Sequence, residues 1–146
     1  MNTTIYEKLE KYNKAIENKK IILSSSENVF NYIKTQFQGL NKEIVFFIGM
    51  DTKNQVRYKK LIFQGGLNYS IVETRQIIKE CLINDLSGFF LIHNHPSGVV
   101  TPSEEDINIT QRLKKASDLM NIRFLDHLIL NYEENVYYSL FDNDKF

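Results

Sequence analysis

Two histidines separated by one residue, His93 and His95, stand shortly before Ser103 and Asp106, and these are residue types that hold a metal and stabilise developing charge. Side chains at i and i+2 of a strand point to the same face about 6.8 Å apart, so both imidazoles can converge on one ion. The run Gly88-Phe89-Phe90-Leu91-Ile92 supplies such a strand, and Pro96-Ser97-Gly98 supplies the turn that ends it. A helix opening at Ser103 then brings Asp106 back toward the histidines in its first turn. Two neutral imidazoles and a carboxylate leave the fourth position of a tetrahedral zinc open, as catalytic rather than structural sites do.

Taken one at a time, the same residues have plainer uses. Ser103 followed by Glu104, Glu105 and Asp106 is what a well-capped helix start looks like, with the acids favoured by the helix dipole. A histidine pair at a strand end is more often incidental than not. Coincidence within one strand, turn and helix is what favours a metal centre.

The pattern His93-x-His95, seven residues, Ser103-x-x-Asp106 resembles the JAMM (MPN/JAB) metalloprotease signature. More narrowly, His93-Asn94-His95-Pro96-Ser97-Gly98 together with Leu125-Asp126-His127-Leu128-Ile129 resembles the bacterial RadC (UPF0758) branch, over roughly Asn41 to Leu140. The resemblance implies zinc held by His93, His95 and Asp106, an oxyanion stabilised by Ser103, and an upstream glutamate acting on the metal-activated water. Glu43 stands where the family's glutamate stands, at the opening of the strand that precedes Asp51. Glu73 and Glu80 are its rivals, yet both fit the solvent side of an amphipathic helix. A protein or peptide substrate follows, with ubiquitin-like conjugates among the candidates. Asn94 stands where eukaryotic members usually carry Ser or Thr, and Thr74-Arg75-Gln76 keeps only the arginine of the branch's common Pro-Arg-Glu.

The elements that must position these residues follow from periodicity. Residues 1–40 suggest an N-terminal extension of two helices, with Ile5, Leu9, Tyr12 and Ile16 on one face and Val29, Ile33 and Phe37 on another. Residues 41–146 then form the domain that the resemblance covers. Ile44 to Ile48 predicts a buried strand, Asp51 to Asn54 a turn, Gln55 to Phe63 a second strand, and Gln64-Gly65-Gly66 its end. A helix from Ile71 to Ile83 is expected to turn Ile77, Ile78, Cys81 and Leu82 inward, and one from Ser103 to about Met120 to do so with Ile109, Leu113, Ala116 and Met120. Strands over Ile122 to Leu130 and Val136 to Leu140 complete an α/β pattern with a mixed sheet. The resemblance makes this the three-layer, cytidine-deaminase-like JAMM/MPN arrangement with helices flanking the sheet.

Along the strand before Ile129, His127 is expected to be a satisfied, partly buried histidine that shares a face with Leu125 and Ile129, or a support for the metal site. Asp126 points the other way and reads as an outward acid, or as a group that orients a ligand imidazole. Arg57, Lys59 and Lys60 read as a solvated strand edge.

Composition bounds the rest. At 146 residues the chain reads as essentially one folded unit with a real core. Eighteen basic and eighteen acidic residues cancel, so nothing global draws it to nucleic acid or an anionic membrane, and nucleic-acid binding is expected to be weak. A single cysteine, Cys81, rules out an internal disulfide and any multi-cysteine zinc site, which fits a reducing cytoplasm. No apolar stretch approaches the ~20 residues of a membrane span, nor does the N-terminus resemble a signal peptide. The glycine hairpin of the helix-hairpin-helix segment that RadC-like proteins often carry is not legible before Gly39.

There is no His-Glu-x-x-His of a zincin, no Pro-Cys-x-x-Cys of a deaminase, and the residues of an HNH nuclease are dispersed rather than adjacent. The leading expectation is a zinc-dependent metallopeptidase in the cytoplasm. Its alternatives are a DNA repair or recombination factor without peptidase activity and a protein-binding scaffold that retains its metal.

Overall fold

The computed structural model describes residues 4–16, 20–64 and 71–146. Its core is a five-stranded sheet in the order β2-β1-β3-β4-β5, formed by β1 (Ile44–Met50), β2 (Val56–Gln64), β3 (Gly88–His93), β4 (Arg123–Asn131) and β5 (Val136–Ser139). Only β3 and β4 run parallel; the other neighbours are antiparallel. Every residue of β1 and of β3 is buried, which their uninterrupted apolar runs require of central strands covered on both faces.

Helices lie on both sides, giving three layers. On one face α1 (Ile5–Ile16), α2 (Ser26–Ile33) and a short 3-10 turn (Lys34–Phe37) join Leu9, Val29, Phe30, Ile33 and Phe37 to Phe46, Ile48, Phe90, Ile92 and Leu128 in one cluster. On the other, α3 (Ile71–Ile83) and α4 (Glu104–Leu119) pack Ile77, Cys81 and Leu113 against Val45, Phe47, Phe89, Leu91 and Phe124. The helices before residue 40 therefore contribute to the same core as the sheet. Among the described residues no helix is long and apolar enough to cross a membrane.

Several side chains sit otherwise than periodicity predicts. Leu82 and Met120 are 56% and 49% exposed, not inward. In α3 the buried stripe stops at Cys81, and Met120 follows the end of α4 with the helical phase already lost, so Ser117 rather than Ala116 continues the inward line of Ile109 and Leu113. Lys59 is buried rather than part of a solvated edge. The reason is α1, whose Asn13 side chain donates to the Lys59 carbonyl and accepts its N–H, both at 2.9 Å. One carboxamide thereby occupies the hydrogen-bonding groups of an edge strand. The Lys59 ammonium lies 4.5 Å from the Tyr32 ring centre, and burial draws its pKa down to about 8. The side chains of Tyr12, Ile16 and Glu73, and residues Gly65 and Gly66, lie outside the described residues.

Candidate metal centre

The antiparallel register of β1 against β3 pairs Val45 with His93, so the residues entering β1 lie beside those leaving β3. Asn94 joins them. Its side-chain oxygen accepts the Ile44 N–H at 2.8 Å and its amide donates to the Lys42 carbonyl at 3.0 Å, one bond on each side of Glu43. Glu43, His93 and His95 each offer an atom suited to a metal, and these atoms lie within 4.8 Å of one another.

The chain leaves β3 through a turn closed by the Gly98 N–H donating to the His95 carbonyl at 2.9 Å. Gly98 holds φ +80°, and a Cβ there would meet the Asn131 side-chain nitrogen at 3.0 Å, so a residue without a side chain is required. Beyond the turn, the Val99 carbonyl lies 2.7 Å from His95 Nδ1. A carbonyl can only accept, so Nδ1 carries the proton and the neutral ring presents a bare Nε2. That nitrogen is 3.0 Å from Asp106 Oδ2 and 3.1 Å from His93 Nε2, and His93 Nε2 is 3.4 Å from Asp106 Oδ1.

Asp106 arrives by the capping geometry of α4. Its N–H donates to Ser103 Oγ at 3.0 Å while its Oδ2 accepts the Ser103 N–H at 2.9 Å, a reciprocal box. Capping and metal-facing roles are thus compatible in one residue. The cap uses a lone pair of the Ser103 hydroxyl and leaves its proton free to donate elsewhere. Burial opposes the charge on Asp106, but the adjoining His93 and His95 imidazoles and the hydrogen bond from the Ser103 N–H hold its carboxyl far below the usual carboxylate range. Reciprocally, the Asp106 hydrogen bond raises the pKa of His95 despite desolvation, with the Glu43 charge adding to the effect. Nitrogen and oxygen lone pairs facing one another at these distances need a proton or a cation among them, and two imidazoles with a carboxylate form a donor set suited to a divalent transition metal.

Behind the site, His93 Nδ1 is 2.7 Å from His127 Nε2, and His127 Nδ1 is 2.7 Å from Thr110 Oγ1. The register of β3 against β4 shifts between Phe89 and Phe90, so that Phe89 pairs with Phe124 and Phe90 with Asp126. This bulge breaks the simple alternation. Leu125 packs with the α1/α2 cluster instead of sharing the face of His127, which is buried and turned toward α4. Asp126 does point the other way, yet it is 3% exposed rather than outward, accepting from Ser139 Oγ at 2.6 Å and from the Phe141 N–H at 3.1 Å. Glu80 departs from its expected solvent face as well: it is buried and ion-paired with Lys60. Cys81 is buried, and desolvation pushes its thiol up to about 12, which leaves it no nucleophilic role.

Sequence reasoning gave Thr110 no role and treated Asn94 only as a variant position. The one local signal for Thr110 is its place one helical turn after Asp106.

The model of the RadC-like JAB domain matches residues 23–145. This chain belongs to the RadC-like JAB domain family. It is 40% identical over 131 residues to a UPF0758 protein of Clostridium perfringens, covering 90% of this chain and 57% of that one. A UPF0758 protein of Bacillus licheniformis is 38% identical over 115 residues, covering 79% and 51%, and the UPF0758 protein YsxA of Bacillus subtilis is 39% identical over 109, covering 75% and 48%. The chain spans about half the length of these relatives. In this RadC-like JAB domain, the matched region includes Glu43, both site histidines, Ser103 and Asp106.

Proposed function

We propose that the chain is a zinc-dependent peptidase that hydrolyses a peptide or isopeptide bond. The observation that carries this reading is the convergence of His93, His95 and Asp106 to within 3.0–3.4 Å, with the Glu43 carboxylate beside them. His93, His95 and Asp106 would hold the zinc, which when bound polarises a carbonyl and acidifies water. Glu43 accepts the proton of the attacking water and returns it to the departing amine, a shuttle that needs its carboxylate at hydrogen-bond reach of both. The Ser103 hydroxyl proton, which its cap does not consume, donates to the oxyanion of the tetrahedral intermediate. Asn94 keeps Glu43 from swinging away by holding the peptide groups on either side.

A cleft of about 220 Å³ adjoins His95, its lining including Asn94, Pro96, Ser97, Asn131, Phe37 and Tyr132. It suits an extended segment of polypeptide laid beside the histidines. A larger groove of about 590 Å³ between α1 and the 3-10 turn, lined by Lys8, Lys11, Thr35 and Gln36, holds none of the groups that this chemistry uses.

The test is a screen of zinc-loaded protein against ubiquitin-like conjugates and defined peptides, with Asp106→Ala in parallel. Cleavage by the wild type alone supports the reading. Loss of zinc binding in neither protein, or equal cleavage by both, removes it.

A further inference from the structure

We infer that His127 and Thr110 are positioning residues that hold His93 in the single tautomer able to present Nε2 to a metal. This rests on the reading of His93 as a ligand. The Asp106 main-chain carbonyl lies 2.7 Å from Thr110 Oγ1. A carbonyl oxygen has no proton, so the one hydroxyl proton of Thr110 is spent there. His127 Nδ1, 2.7 Å from the same hydroxyl, must then supply a proton of its own, and it donates to a Thr110 lone pair. A neutral imidazole carries one proton, which leaves His127 Nε2 bare. That nitrogen accepts from His93 Nδ1 at 2.7 Å, so the proton of His93 is on Nδ1 and its Nε2 turns an unprotonated lone pair toward His95 and Asp106.

The path closes on itself. It leaves the Asp106 main chain, passes through Thr110, His127 and His93, and returns to the Asp106 side chain. Ligands from β3 and from α4 are thereby coupled through a residue of β4, and the chain's three histidines all belong to the cluster. A metal-bound histidine commonly gives its second N–H to a carboxylate, carbonyl or water. Here the acceptor is a second, neutral imidazole, and an ordinary buried histidine would not require a fixed direction for every proton.

The experiment uses metal-free protein labelled with ¹⁵N at histidine. Long-range ¹H–¹⁵N correlation is expected to show Nδ1 protonated and Nε2 bare in His93 and His127, while His95, protonated on Nδ1, shares a further proton with Asp106 through Nε2 in place of the metal. Thr110→Val removes the acceptor for His127 and is expected to move the proton of His93 to Nε2 and weaken zinc binding about 10- to 100-fold, whereas Thr110→Ser restores both. His127→Gln, which keeps an acceptor for His93, is expected to bind zinc more tightly than His127→Met by a similar factor. A wild-type His93 protonated on Nε2 overturns the inference without any variant. So does equal zinc affinity in wild type and Thr110→Val, or in the two His127 variants. Absence of zinc binding by the wild type overturns the ligand reading itself, and is told apart because the tautomers are read without metal.

Discussion

The side chain of Asn94 accepts the N–H of Ile44 at 2.8 Å, which ties the residue between the two site histidines to the start of the neighbouring strand. With its second bond to Lys42, the carboxamide brackets Glu43 on both sides. Asn94→Ala is therefore expected to leave zinc content near that of wild type while lowering peptide hydrolysis by about 10²-fold, the scale of a displacement near 1 Å. The buried Ile44 N–H loses its partner, so unfolding should also become easier by about 1–3 kcal/mol. Metal analysis beside steady-state kinetics separates the effects; loss of zinc together with activity would show that Asn94 supports the ligands instead.

Glu43→Gln should retain zinc and lower hydrolysis by roughly 10²- to 10⁴-fold. Ser103→Ala should cost on the order of 10²- to 10³-fold in kcat and about 1 kcal/mol of helix capping. Glu80→Gln should leave kcat alone yet lower the melting temperature, because it breaks the ion pair that the buried Glu80 makes with the half-exposed Lys60. A Glu80 variant that lost activity at full stability would move the proton-transfer role away from Glu43.

Zinc should raise the thermal midpoint of the wild type, and His95→Ala should abolish that response, since a ligand bound only to the folded state stabilises it by mass action. Elemental analysis after chelator-free purification gives the stoichiometry, expected to be about one ion per chain. Equal zinc in wild type and His95→Ala would remove His95 from the ligand set.

Asp126 predicts a pH dependence with a definite sign. Burial raises its carboxyl from an ordinary value of 3.8 to about 6, against the lowering effects of Ser139 and of the Phe141 and His127 N–H groups. The folded state thus holds this proton more tightly than the unfolded chain. Its stabilising contribution, on the order of 3 kcal/mol, is complete below about pH 3.8 and is lost as pH rises through about 6. Asp106 has the opposite shift, and the stability it confers is lost only as pH falls below its ordinary 3.8, outside that window. Urea midpoints measured from about pH 4 to about pH 7 should fall more steeply for wild type than for Asp126→Asn. Parallel curves for the two proteins would contradict the assignment.

The sequence by itself determined the local parts of the site. The one-residue spacing of His93, which closes β3, and His95, just beyond it, brings their Nε2 atoms within 3.1 Å, and Ser103 with Asp106 forms a capping box because helix starts leave backbone N–H groups unpaired. The succession of elements was legible for the same reason, with the mixed α/β class following from it. Only the tertiary structure decided which distant residues meet those parts. The placement of Glu43 beside the histidines, expected from the family pattern, depends physically on the antiparallel register of β1 and on Asn94, and neither leaves a periodic trace. His127 faces His93 through a bulge, which reverses the face that alternation assigns to Leu125. Lys59, Glu80 and Asp126 read as surface charges because charge predicts exposure on average. Their burial is set by what packs over them or pairs with them: α1 beside Lys59, Lys60 against Glu80, and Ser139 against Asp126.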